Sequence, residues 1–233
     1  MVLTELVRST QMRLDAEIDT ILADCRQQGV ALYCRRGCAN CCRLAVHATW
    51  PEAQVLAATL NGEQMARLDA HVARLRQEGE DDVNLLAYLR RHRDTLSGCP
   101  FLDAGGACDV YSVRPLSCRA LHSTRPGDWC GLDLATLPAI DKELYLQSLD
   151  PQWVDVPTHF LSRPRLAAQQ QEETLLSAMR DQYGFSIDGN LTVLVWLERE
   201  KGLSKYLAQG WTAVESVLTP LRLSSWLVRV VEA

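Results

Sequence analysis

The stretch CRRGCANCC, from Cys34 to Cys42, places four cysteines in nine residues, two of them adjacent. Four more, Cys99, Cys108, Cys118 and Cys130, are spread through a stretch without periodic apolar residues. Thiols crowded in this way must be paired, bound to a metal or kept reactive. Pairing fits poorly, because the total of nine cysteines is odd. At 233 residues the chain is also long enough to bury a core without covalent staples. Acids and arginines interrupt the N-terminal stretch MVLTELVRSTQMRLDAEIDTILADC, unlike a signal peptide, and no segment approaches about 18 consecutive apolar residues. These features read as a cytosolic protein with no membrane partner, whose thiols stay reduced and favour metal or redox chemistry. The net charge of −5 gives no reason to expect a nucleic-acid partner.

Outside the cysteine stretches the pattern is helical. Leu3, Leu6, Val7, Leu14, Ile18, Ile21 and Leu22 recur at three- and four-residue steps, which predicts an amphipathic helix. Cys25 extends that stripe and reads as a buried small hydrophobe, not a ligand. Thr49-Trp50-Pro51-Glu52 is a capping box with proline in the first turn, opening a helix through Val55, Leu56 and Leu60. Asn61-Gly62 breaks the pattern, and Met65, Leu68, Val72 and Leu75 mark the next helix. Another begins at Asp81-Asp82, carries Val83, Leu86 and Leu89, and stops at Gly98.

Gly105-Gly106 predicts the turn of a short hairpin. After Cys130 helical patterns return over Leu137–Leu149, Leu161–Met179 and Leu191–Leu197, where LTVLVWL suits a buried helix better than a strand. A final run goes from Val214 to Val231, interrupted by Pro220. Trp153, Trp196, Trp211 and Trp226 are expected in core and interface packing. The expected fold is mainly α, a single domain over residues 1–233. Its helices pack around an irregular cysteine-rich metal-binding region, 34–130, with at most a short β-hairpin, and residues 131–233 form a helical extension.

Leaving Cys25 aside, the metal-ligand candidates are Cys34, Cys38, Cys41, Cys42, Cys99, Cys108, Cys118 and Cys130. A Cys-x-x-Cys step such as Cys38 to Cys41 lets one turn aim two thiolates at one ion while backbone N–H groups point at the sulfurs. Adjacent Cys41 and Cys42 point in different directions, so they serve different sites or one is a bystander. Gly37 relieves the backbone where the turn is tightest. Arg114 and Arg119 share a short segment with Cys118 and are the cofactor-binding candidates, since positive charge there would offset an anionic thiolate site. His122 and His47 lie within reach of the cysteines, whereas His71 and His92 are expected to face solvent. Cys34-x3-Cys38-x2-Cys41 also matches the spacing of radical S-adenosylmethionine enzymes, but Asn40 stands where those carry an aromatic, and no βα barrel follows.

Cys34-x3-Cys38-x2-Cys41-Cys42, CPFLD at Cys99, CDVYSVRPLSCR from Cys108 to Arg119 and the last cysteine at Cys130 closely resemble the YkgJ family. This CxxCxxCC group is described as zinc- or iron-chelating and often labelled as iron–sulfur oxidoreductases. The likeness covers roughly residues 34–130 and includes Tyr111 and Arg114-Pro115. It implies metal or cluster binding and leaves the reaction open. A similar cysteine cluster in flagellin lysine N-methylase extends the implied activities from redox chemistry to protein modification, with an unidentified protein as partner or substrate. Eight thiolates suit either a 4Fe–4S cluster or two four-cysteine zinc sites. The wide, irregular ligand spacing favours iron–sulfur, with zinc the alternative.

Overall fold

The structure is a computed structural model and describes residues 2–77, 84–96 and 98–232. It is mainly α. The helices are α1 (Leu3–Gln27), α2 (Trp50–Ala57), α3 (Gly62–Gln77), α4 (Leu85–Asp94), α5 (Leu116–Ala120), α6 (Ala139–Gln147), α7 (Ser162–Tyr183), α8 (Leu191–Trp196), α9 (Ser204–Leu207) and α10 (Trp211–Leu218). Along α1 the apolar stripe from Leu3 to Ile21 is buried, and Cys25 ends it with no exposed surface. The stripe packs against α7 and α5, where Leu116, Ala168 and Leu175 meet Val7 and Leu14.

The capping box at α2 forms as its residues demand. One Glu52 carboxylate oxygen accepts from the Thr49 N–H at 2.9 Å and the Thr49 hydroxyl at 2.8 Å. The other accepts the Leu116 N–H at 2.7 Å, so this cap also pins α5. α2 ends at Ala57, short of the expected Leu60. Asn61 does more than interrupt: its side chain accepts the Gln64 N–H at 2.9 Å, and Gln64 returns the bond at 3.0 Å, capping α3. The expected helix start at Asp81-Asp82 and Val83 lies outside the described residues. α4 is capped by Asn84, which accepts the Ala87 N–H at 3.0 Å.

A small antiparallel sheet, absent from the helical reading, crosses the frame in the order β1 (His47–Thr49), β2 (Phe185–Asn190), β3 (Val228–Glu232). His47 pairs with Asn190, and Gly189 with Val228. Every residue of β2 is buried, so the strand lacks the alternation that would have revealed it. The last apolar run is not one helical pattern. It stops at Leu218, turns through a 3₁₀ segment at Pro220 and Arg222 with φ 50°, and re-enters as β3. LTVLVWL is α8, buried as expected, continued by a π-helical turn over Leu197–Lys201. Trp196, Trp211 and Trp226 pack partly buried against the main core.

From residue 98 to α6 the chain is mostly turns on either side of the short helix α5. The predicted hairpin forms at Gly105-Gly106: Leu102 bridges Cys108, and the Asp103 carboxylate accepts the Gly105 and Ala107 N–H groups at 2.8 Å each. Two residues of this stretch, Phe101 and Leu116, are fully buried and plug it into the cores of the helical frame.

Candidate metal centre

The eight clustered cysteines come from separate segments that the frame brings to one side. Gly37 takes φ 80°, a left-handed turn that suits glycine. It lies against the hairpin turn, where a Cβ on Gly106 would sit 3.4 Å from the Gly37 carbonyl oxygen. Cys41 and Cys42 follow in a 3₁₀ turn, Asn40–Arg43. The Cys42 carbonyl accepts the Cys99 N–H at 2.9 Å, joining this turn to the hairpin.

Side chains of the frame clamp the hairpin from outside. Arg67 on α3 donates to the Pro100 carbonyl at 3.0 Å and to Asp109 at 2.5 Å. Arg43 and His92 reach between the 3₁₀ turn and α4: Arg43 donates to the Arg93 carbonyl at 3.2 Å, and the His92 Nδ1 lies 3.3 Å from the Arg43 carbonyl.

Backbone donors are aimed at the sulfurs. The Phe101 N–H points at Cys99 and the Val110 N–H at Cys108, each from two residues further on. The Ser123 N–H donates to the Cys34 sulfur at 3.2 Å, and its hydroxyl donates to the Arg125 carbonyl at 2.6 Å. Cys38 packs against Gly127, where an added Cβ would come within 3.0 Å of its sulfur. Such N–H···S bonds stabilise thiolate ligands.

Without a cation the site holds its protons. Burial raises Cys99 to about 12 and Cys130 to about 11. At Cys118 burial acts first, followed by the charges of Cys99, Cys41 and Cys108. At Cys41 a hydrogen bond with Cys42 acts first, then burial, and the pKa rises far above its usual value. Arg114 opposes the rise at Cys34, Cys41, Cys108 and Cys118. Its guanidinium lies 4.0 Å over the Tyr111 ring, and its Nε is buried with no hydrogen-bond partner. An orphaned guanidinium N–H whose charge favours four of the thiolates fits an anionic, thiolate-bound group. Among the described residues, no three Cys, His, Asp or Glu side chains already converge to hold a single ion. The sulfurs are neighbours, not a closed cage.

The other candidates divide. Arg119 is buried and turned from the thiols: it bonds Asp15 at 2.5 Å, the Ser112 carbonyl at 2.5 Å and the Arg114 carbonyl at 2.9 Å. It positions the Arg114 backbone. His122 is partly buried with its Nε2 unpartnered. His71 and His92, expected to face solvent, are instead 7% and 4% exposed, edge to face with ring centroids 6.0 Å apart. Their helices carry apolar residues on the same faces, so both rings are drawn into the α3–α4 contact.

His47 is directed at a carboxylate, its Nε2 3.4 Å from Asp188. Asp188 also takes two bonds from Arg229, at 2.8 and 2.6 Å; against its burial, these contacts hold it below the usual carboxylate range. Nearby, burial and then Glu52 push Glu172 up to about 7. The sequence reading missed this charged group, along with Arg67, Ser123 and Gly127. Asp188, Glu172 and Arg229 lie far from the cysteines in sequence, and only the β1–β2–β3 pairing unites Asp188 and Arg229 with His47.

Among the described residues, no helix is long and apolar enough to cross a membrane. No significant match was found among curated proteins or among solved structures. The CxxCxxCC family model, described as a putative zinc- or iron-chelating domain, matches residues 33–142, a span containing all eight clustered cysteines. In agreement with the YkgJ resemblance, residues 33–142 are similar to the CxxCxxCC family, described as a putative zinc- or iron-chelating domain.

Proposed function

We propose that this chain is a cytosolic metal protein that holds an iron–sulfur cluster of the 4Fe–4S type through cysteine thiolates. The candidate ligands are Cys34, Cys38, Cys41, Cys42, Cys99, Cys108, Cys118 and Cys130. The observation that carries the reading is the meeting of these sulfurs with aimed backbone N–H groups and the unpartnered Arg114 Nε. Hydrogen bonds to sulfur and nearby positive charge are the means by which a protein sets cluster potential, and a bound cluster would supply one-electron redox chemistry. Arg114 would offset its negative charge, and Arg119 would keep Arg114 in place. The irregular intervals between the cysteines suit a cluster better than paired zinc knuckles.

Zinc is the second reading. Structural zinc would account for a turn-rich stretch that has few apolar anchors, because metal binding adds directly to folding free energy. In that case the chain would be a binding module for a protein partner. Under the first reading it acts as a redox or protein-modifying enzyme, with residues 143–233 contributing specificity and the whole chain folding as one domain.

Purification without oxygen followed by absorption spectroscopy and metal analysis tests the choice. Brown protein with broad sulfur-to-iron charge-transfer absorption is expected. Colourless protein with two equivalents of zinc would overturn the iron–sulfur reading.

A further inference from the structure

We propose that the cleft between α4 and the β-sheet binds a small organic carboxylate with an apolar body. The sheet and α4 build this site, so it does not depend on what the cysteines hold.

The cleft has a volume of about 370 Å³, at the small end of the range for ligand sites. Leu85, Tyr88 and Leu89 line it from α4, where residues three and four apart share a face. Val46 and Trp226 line it from the segments that lead into β1 and β3. Leu85 and Leu89 keep 46% and 39% of their surface exposed, so this apolar wall is open to a ligand. The Tyr88 hydroxyl already accepts from the Asn190 amide at 2.8 Å, and an apolar ligand would strand no hydroxyl there.

The sheet sets the polar end. Arg229 lies directly opposite Asp188 in the β2–β3 register, and His47 lies opposite Asn190, a diagonal step from Asp188 on the same face. Asp188 is 1% exposed and sits behind the other two. It accepts from the Arg229 Nε at 2.8 Å and Nη2 at 2.6 Å, and the His47 Nε2 is 3.4 Å away. The Arg229 and His47 side chains are 58% and 53% exposed, and both line the cleft. A ligand therefore meets the two nitrogen-bearing side chains, not the carboxylate that aligns them.

The Arg229 Nη1 and the His47 Nδ1 take no part in the contacts with Asp188. The bond to Asp188, first among the causes, raises the His47 pKa, so the ring keeps its second proton further toward neutral pH and then donates from both nitrogens. Glu172 on α7 also acts on His47, but burial pushes it up to about 7, so near neutral pH it carries only part of a charge. Two aligned donors match the two oxygens of a carboxylate. A neutral apolar ligand would cover these donors without pairing them, and an amine would meet like charge.

The test is calorimetric titration of the full chain, prepared without oxygen, with octanoate as probe. Octylamine supplies the same tail with the opposite charge, and acetate supplies the head without the tail. Octanoate should bind saturably at one site per chain, with the other two at least tenfold weaker. Arg229→Gln and Leu85→Glu should each weaken octanoate at least tenfold, and Met12→Glu, at an exposed position on α1, should leave it unchanged. Arg229→Lys should restore part of the loss. No saturable octanoate binding, equal binding of octylamine, or full affinity in Leu85→Glu would overturn the site. If Arg229→Gln does not fold, Leu85→Glu still decides, because Leu85 is largely exposed. Metal content measured on the same samples keeps the two readings apart: octanoate binding can fail in metal-loaded protein without touching the metal centre.

Discussion

The helical frame and the cysteine-rich stretch solve the same problem by different means. In α1, α2, α7 and α8 the apolar stripes are buried side by side, and residues such as Leu14, Leu56, Leu175 and Val195 have no exposed surface. From Cys99 to Cys130 there is one short helix, and Phe101, Val110, Leu116 and Ala120 are the main apolar anchors. The rest is tied by Arg67, by Arg119 with Asp15, by Asp103 folding back on its own turn, and by sulfur. Burial of apolar surface stabilises the frame whatever the solution contains. The cysteine stretch instead has bonds whose strength depends on what the thiols bind. The frame should therefore be vulnerable to steric and packing changes, and the cysteine stretch to loss of metal.

The largest effect is expected at Gly189. A Cβ there would meet the Leu227 carbonyl oxygen at 2.2 Å and its carbon at 2.9 Å, and backbone cannot swing aside as a side chain can. Gly189→Ala should cost about 3 kcal/mol or more, read as a lowered denaturant midpoint in metal-free protein. An unchanged midpoint would break the picture of β2 as the tightly packed centre of the frame.

The next effect is acid sensitivity within the frame. Burial lowers His71 to about 4, from an ordinary value of 6.5, and its Nε2 has no partner. The folded state keeps this ring neutral, while the unfolded chain takes up a proton below 6.5. Its contribution is therefore complete above pH 6.5 and is lost as pH falls toward 4. At pH 5 the loss amounts to about 2 kcal/mol. His71→Leu should flatten the decline between pH 7 and pH 5; an equally steep decline in the variant would assign it elsewhere. His159 is lowered to about 4 by burial as well and should add a second such slope.

The smallest effect separates the cysteines themselves. Cys25 packs with Ile21 and Leu161, with no exposed surface. Cys25→Ala should cost about 1 kcal/mol and leave metal content unchanged. Cys38→Ala, in the Cys-x-x-Cys turn, should sharply reduce metal per chain. Metal lost from Cys25→Ala and kept by Cys38→Ala would reverse the division of the nine cysteines.

These two regions also differ in how much of each was legible. The α1 stripe, the Thr49–Glu52 cap and the Gly105-Gly106 turn follow from local rules, and their residues act on near neighbours in sequence. β2 was hidden because burial on both faces erases alternation, and β3 because Val228, Val230 and Val231 continue an apolar run that begins in a helix. The spacing of the cysteines pointed to metal binding. Their supports did not: Arg67 is one of many helix-surface arginines until α3 meets Pro100 and Asp109, and Ser123 looks like a loop residue until it meets Cys34. Arg114 and Arg119 looked equivalent in sequence, yet Arg114 precedes α5 and stacks over Tyr111, whereas Arg119, inside α5, turns to Asp15. Phe101 and Leu116 are fully buried although their stretch lacks periodic apolar residues, so isolated anchors reach the core where no pattern marks them.

The most direct test of the central claim is amide hydrogen exchange on the full chain, prepared without oxygen, before and after chelation. Protection should fall in residues 99–131 and around Cys38 to Cys42, while α1, α7 and α8 keep theirs. Protection that is unchanged everywhere, or lost evenly across frame and cysteine stretch, would contradict the account.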